Sequence, residues 1–188
     1  MAADRDRADV LPEGREVAFR MSSTVASPPD VVYDVIADVG THLDWGGTRG
    51  SKKYRLTAVD VQDGPAVKGT EWTSTGIAPD GTFRDRSVVT EASRPSAFEF
   101  QTDAHIAFRK GGEGDWRLIN RYEITPEGKG SRVAYTQRLI AATPLGPMKM
   151  MLNPLLGGIG RMMVKGLNKP AMRGLAAMAE EKARGGAS

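Results

Sequence analysis

Apolar and polar residues alternate with a period of two along most of the chain, and this alternation predicts β-strands. The first strand begins after Glu16, with Val17, Phe19, Met21 and Val25 on one face. Six further strands are predicted at Lys53–Val61, Thr70–Gly76, Thr82–Ala92, Ala97–Thr102, Trp116–Ile124 and Arg132–Ala142. Short turns rich in Gly, Pro, Asp and Ser separate them, which indicates a meander of antiparallel hairpins.

A helical pattern interrupts this alternation directly after the first strand. Ser27 is a favourable N-cap, and Pro28 and Pro29 suit the first helical positions, which need no N–H partner. An apolar stripe follows at helical spacing, and Gly40 ends it. The segment Thr41–Trp45 predicts a second short turn of helix.

The last part of the chain is rich in methionine and also has helical spacing. Asn153 and Pro154 predict the start of the main helix, as an N-cap followed by proline at the first helical position. Lys169-Pro170 is expected to kink the helix or to break it into a final piece, because proline removes a backbone donor and clashes with the preceding turn.

Composition limits the class of protein. With 188 residues, 40% of them hydrophobic and 26% charged, the chain fits one soluble globular domain. We expect a charged tail at 1–14, a single ligand-binding domain at 15–184 and a flexible tail at 185–188. The chain has no cysteine, which excludes disulfides and thiolate metal sites. No run is apolar enough for a signal peptide or a membrane span, so a cytoplasmic protein is expected.

Charge gives little support to a nucleic-acid-binding function. The formal net charge is only +3, most basic residues alternate with acids, and no nucleic-acid-binding motif is found. The C-terminal segment carries a basic face, which predicts either a solvated helix surface or a weak contact with anionic lipid headgroups. That face consists of Lys149, Arg161, Lys165, Lys169 and Arg173.

Several motifs resemble those of the START/Bet v 1-like superfamily, often labelled polyketide cyclase/dehydrase or SRPBCC proteins. They are Ser27–Asp38 with the following Trp45, the segment Lys68–Trp72, and Thr90–Ala92 with the Pro95 turn and the Phe98–Phe100 strand. The resemblance covers residues 16 to 184. It implies an α+β helix-grip fold, in which a curved seven-stranded antiparallel sheet wraps around a long C-terminal helix, with two short helices after the first strand.

The same resemblance implies an apolar cavity between the sheet and the long helix. Members of the superfamily bind lipids, sterols, polyketides or plant hormones, and some cyclise or dehydrate aromatic polyketides. The fold alone does not choose among these activities.

The candidate cavity residues are aromatic, polar or flexible side chains on the faces expected to point inward. Trp72 suits stacking on a flat ligand, and methionines form an adaptable lining, although both also fill ordinary cores. Polar side chains on the last two strands would need buried partners, which a ligand could supply. The full set is Trp72, Phe100, Asn120, Tyr122, Tyr135, Gln137, Met151, Leu155, Ile159 and Met163.

Three functions remain open on the sequence. We favour a non-catalytic binder of a small hydrophobic molecule such as a lipid or polyketide. The alternative is a cyclase/aromatase-like enzyme, for which Asp85, Arg86, Tyr122 and Tyr135 could serve as acid or base, and which requires a buried ionisable group in the cavity. The third is a partner-binding regulatory domain.

No cofactor and no metal site is expected. The two histidines, His42 and His105, lack neighbouring metal ligands at ordered spacing, and His105 is expected in a loop.

Overall fold

The computed structural model describes residues 17–79, 81–143 and 157–185. In the long helix, the side chains at 157–161, 163 and 164 lie outside this description. The predicted tail at 1–14 and the predicted helix start at Asn153-Pro154 are also outside it.

Seven antiparallel strands form one sheet with the order β1-β7-β6-β5-β4-β3-β2. All seven predicted strands are present, and several extend beyond their predicted ends. Their bounds are Val17–Val25 (β1), Arg55–Asp60 (β2), Glu71–Ala78 (β3), Gly81–Ser93 (β4), Ala97–Phe108 (β5), Glu113–Glu127 (β6) and Gly130–Ala142 (β7).

The expectation that His105 lies in a loop is wrong, because β5 continues to Phe108. His105 pairs with Asp115 of β6 in the sheet register, and its Nδ1 lies 2.8 Å from an oxygen of the Asp115 carboxylate. Its Nε2 lies 3.5 Å from Glu113. Nearly half of the His105 side chain is exposed, so this residue lies in the sheet and faces solvent.

Three short helical segments connect β1 to β2: helix α1 at Pro29–Ala37, a 3₁₀ turn at Val39–Thr41 and a π-helical turn at Asp44–Thr48. The prediction of Ser27 as N-cap is wrong, since Pro28 occupies that position and no side chain caps the helix. The Ser27 carbonyl accepts a 2.6 Å hydrogen bond from the Ser131 hydroxyl, which holds this residue against β7.

The long helix α2 spans Gly157–Gly185 and includes Pro170 without ending there. Of the two effects expected of Lys169-Pro170, the break of the helix is therefore wrong, and the kink stays a prediction. Just beyond the proline, Met172, Leu175 and Ala179 are buried in the core, and this packing favours a continued helix over the local preference of proline.

The core lies between the inner face of the sheet, α1 and α2. Val32 and Ile36 of α1, Phe98 of β5 and Leu175 of α2 are completely buried. On the outer face of the same sheet, Arg121 of β6 forms ion pairs with Glu91, Glu99 and Glu123. The two faces of the sheet therefore differ sharply in polarity, as expected for an antiparallel sheet covered on one side.

Candidate functional site

A cavity of about 120 Å³ lies between the sheet, the turns that follow α1, and α2. The strands β3 to β7 supply its floor, and the π-helical turn contributes Trp45 and Gly46. Leu167, Asn168 and Ala171 of α2 cover one side. The cavity is therefore a partly open pocket bounded by the elements that the helix-grip arrangement brings together.

Aromatic side chains form the apolar wall. Trp72 of β3 and Phe100 of β5 meet edge to face, with ring centroids 5.0 Å apart. Tyr122 of β6 stacks on Tyr135 of β7 at 4.7 Å. Trp45 meets Tyr122 edge to face at 6.4 Å, which joins the turn to the strands. Such rigid rings offer flat surfaces for an apolar or aromatic ligand.

A row of hydrogen-bonded polar side chains crosses the floor of the cavity, and we refer to it as the polar row. The Ser87 and Thr102 hydroxyls lie 2.9 Å apart, and Asn120 donates to the Thr102 hydroxyl at 3.2 Å. The Asn120 carbonyl oxygen accepts from the Tyr135 hydroxyl at 2.7 Å and from the Gln137 amide at 2.9 Å. Four strands are thus joined through side chains inside the core.

Asp85 of β4 extends this row toward β3. Its strand partner is Ser74, which also lines the cavity. The Asp85 Oδ1 atom is buried and has no hydrogen-bond partner among the described residues. Burial raises the pKa of Asp85 to about 7, while a hydrogen bond from Ser74 acts in the opposite direction. The cavity therefore contains an ionisable group whose charge changes near neutral pH.

His42 is held in its neutral form beside the aromatic wall. Burial lowers the pKa of His42 to about 4, and its Nε2–H donates to the Ile36 carbonyl at 2.7 Å. Its ring lies 4.6 Å from Trp45 and 6.3 Å from both Trp72 and Phe100. His42 therefore acts as a packed aromatic residue and not as a cation.

The predicted candidate residues fall into two groups. Six line the cavity, and binding at them stays a prediction: Trp72, Phe100, Asn120, Tyr122, Tyr135 and Gln137. The other four are not described: Met151 and Leu155 lie outside the described residues, and so do the side chains of Ile159 and Met163.

Sequence reasoning missed part of the lining. Ser74, Ser87 and Thr102 were not singled out, although each falls on the inward-facing register of its strand. Asp85 was considered as an acid or base but was not placed in the cavity. The signal for Asp85 in the sequence was its position on the same face of the strand as the apolar residues Phe83 and Val89.

Metal sites and membrane-spanning helices are two further features to consider. The described part of the chain holds no group of three or more His, Asp or Glu side chains placed to share a metal ion. Within the same ranges, no helix combines the length and the apolar composition needed to cross a bilayer.

The fold and the cavity define a helix-grip domain of the Bet v 1-like class. Solved structures of this shape include Ara h 8.0201, with a TM-score of 0.54, 11% identity, and coverage of 87% of this chain and 97% of that one. Protein Ms6760 from Mycobacterium smegmatis has a TM-score of 0.57 at 17% identity, covering 93% and 98%. A protein from Arthrobacter aurescens has a TM-score of 0.59 at 13% identity, covering 92% and 91%.

The chain belongs to the family described as polyketide cyclase/dehydrase and lipid transport, whose profile matches residues 16–180. A search of curated proteins finds no significant match. The family supports a ligand-binding domain and leaves the ligand open, and the solved structures support the fold alone because their identities are low.

Proposed function

We propose that this domain binds a small, mainly hydrophobic molecule in the cavity between the sheet and α2. The observation that carries the proposal is a partly open pocket with an aromatic wall on one side and the polar row on its floor. Ligand sites commonly combine an apolar lining with a few fixed polar groups that orient the ligand. The family, which includes lipid transport proteins, agrees with this function.

The size of the cavity limits what it holds. Its volume of about 120 Å³ lies below the roughly 300–1,000 Å³ typical of sites for drug-sized ligands. An engineered apolar cavity of about 150 Å³ holds benzene. The part of a ligand that fits in this volume is therefore one ring or a chain of a few carbons, and the rest of a longer lipid or polyketide would extend beyond it.

Native mass spectrometry of freshly purified protein tests this function. We expect a compound of discrete mass to be released on denaturation, or single-ring compounds such as toluene and indole to bind and raise Tm. Ala171→Phe places a ring in the cavity from α2 and should weaken this binding at least 10-fold. Ala183→Phe, on the same helix and away from the cavity, is the matched control.

Two outcomes would contradict a binding function. One is a clean mass for the unliganded protein with no Tm shift from any compound. The other is equal binding by both phenylalanine variants, since that would place the ligand somewhere else on the protein. Either result would favour the partner-binding alternative.

Asp85 supports a second candidate function, a cyclase-like enzyme that moves protons. A group with a pKa of about 7 can both accept and donate a proton near neutral pH, as general acid–base catalysis requires. On this hypothesis, Asp85→Asn lowers turnover of a linear poly-β-ketone by at least about 100-fold while binding is kept. Product absorbance measures the rate, and unchanged turnover in the variant would exclude this role for Asp85.

A further inference from the structure

Among the described residues that line the cavity, two buried polar atoms have no hydrogen-bond partner: Asp85 Oδ1 and the indole Nε1 of Trp45, of which only Asp85 Oδ1 can accept a hydrogen bond. The other polar side chains of the floor are linked in a chain of hydrogen bonds. It runs from Ser87 through Thr102 to Asn120, which bonds to both Tyr135 and Gln137. Asp85 Oδ1, on the same floor, is buried and unpartnered. Because a buried carboxylate oxygen without a donor is costly, this atom is the position at which a ligand group would gain most.

Asp85 shares the cavity lining with one described cation, Arg55, which is exposed and forms no ion pair with it. Among the described residues, no ion pair to Asp85 is found. Ser74 of β3 is its register partner, and Tyr54, just before β2, lies close enough for the Asp85 charge to act on it. The described side chains of α2 that line the cavity, Leu167, Asn168 and Ala171, are uncharged. The register neighbour on β5 is Ala104.

The other ionisable side chains of this region are paired with other residues, exposed to solvent or neutral at neutral pH. Arg86 points to the outer face and pairs with Glu71 at 2.7 Å. Arg84 and Arg55 are exposed to solvent. Burial, and to a smaller extent the Asp85 charge, raises the pKa of Tyr54, and burial lowers the pKa of His42, so both remain neutral.

We propose that the cavity selects a small cyclic or aromatic amine, whose protonated nitrogen donates to Asp85 Oδ1 while its ring packs on Trp72 and Phe100. This inference rests on the proposed binding function and names the ligand class. The ammonium would supply both the missing hydrogen bond and the missing positive charge. Aromatic faces also attract cations, and one ring with an aminomethyl group suits the cavity volume.

A series of compounds with one ring tests the selection. Benzylamine, benzyl alcohol, toluene and benzoate are similar in size and differ in charge and donor capacity. Their Kd values would be measured by titration calorimetry at pH 8, where Asp85 is ionised, and at pH 5.5, where it is protonated. We expect benzylamine to bind at least 10-fold more tightly than benzyl alcohol or toluene at pH 8, with benzoate weakest.

Two variants locate the effect. Asp85→Asn keeps the shape of the side chain and should remove the preference for the amine at pH 8 without weakening toluene. Asp85→Ser serves as a second variant in case the asparagine amide disturbs the packing of the cavity floor. Near-UV circular dichroism tests whether each variant is folded. Lowering the pH to 5.5 should reduce the preference in the wild-type protein and leave Asp85→Asn unchanged. Ala171→Phe should block all four compounds.

The outcomes separate this inference from the function on which it rests. If toluene and benzyl alcohol bind as tightly as benzylamine in the wild-type protein, the amine selection is wrong and the binding function stands. A preference for the amine that survives in both Asp85 variants would also overturn it. If no compound binds, both the selection and the binding function are wrong.

Discussion

Asp85 illustrates how a single residue can oppose the stability of the fold that holds it. Its carboxyl group loses hydration on burial and forms no ion pair within the described part of the chain. The rise of its pKa from 3.8 to about 7 corresponds to an upper limit of roughly 4 kcal/mol, at about 1.36 kcal/mol per pKa unit. Residues that lower the free energy of unfolding in this way are typical of functional sites, where function and not stability determines the residue.

Replacing Asp85 by asparagine should therefore stabilise the domain at high pH. The folded state binds the Asp85 proton more tightly than the unfolded state, so wild-type stability falls between about pH 4 and pH 7 as the unfolded chain ionises first. We expect Asp85→Asn to gain about 1–3 kcal/mol over wild type at pH 8 and much less at pH 4.5. Urea unfolding at several pH values measures the difference.

A surface aspartate provides the control for this comparison. Asp63 lies exposed in the turn before β3, so Asp63→Asn removes the same charge without a buried environment. Its stability difference should stay within about 0.5 kcal/mol at both pH values. A gain for Asp85→Asn that does not change with pH would show that the buried charge is not its cause.

At the scale of elements, α2 is positioned by a close approach to the π-helical turn. Gly174 lies where the helix crosses this turn, and an added Cβ would sit 2.8 Å from the Trp45 carbonyl oxygen and 3.1 Å from Arg49 Cβ. Arg49 also donates two hydrogen bonds to the Glu181 carboxylate, at 2.9 and 3.0 Å. The turn that carries Trp45 into the cavity is thus held against the helix at two points.

Alanine at Gly174 should loosen this contact. The added methyl meets a backbone atom that cannot rotate away, so Gly174→Ala is expected to cost about 1–3 kcal/mol in unfolding free energy despite the better helix propensity of alanine. Thermal and urea unfolding measure the loss, and the Trp45 environment can be followed by near-UV circular dichroism.

Gly166 is the matched control in the same helix, because nothing lies within 4 Å of an added Cβ there. Gly166→Ala should therefore stabilise the domain by up to about 1 kcal/mol. Equal effects of the two substitutions would mean that helix propensity, and not the contact with the turn, dominates at Gly174.

At the scale of the whole molecule, the sequence was sufficient for the fold and insufficient for the site. Alternation and turn composition predicted all seven strands because each half-buried strand exposes one face to water. Local sequence signals gave wrong helix boundaries where packing between distant residues was decisive. At Pro170, helix α2 continues through the proline because the next turns are buried against the core. The inward direction of Asn120 and Tyr135 followed from strand parity alone.

The chemistry of the cavity depends on neighbours that are distant in sequence. The pKa of Asp85 is set by burial and by Ser74 on the neighbouring strand, and neither is visible from the residues beside it in the chain. The cavity volume depends on how closely α2 and the turn approach the strands. These quantities arise only when the elements are assembled, so sequence could name candidate residues without giving their charge states or the size of the ligand.

The polar row also has an evolutionary consequence. Asn120 accepts from both Tyr135 and Gln137, so replacing it by an apolar residue would leave the buried Tyr135 hydroxyl without its acceptor and Gln137 with only its bond to Tyr135. Lineages that diverge at one of these positions are therefore expected to change the others in concert. A relative with a hydrophobic residue at Asn120 would then have an altogether drier cavity, and a different preference for ligands.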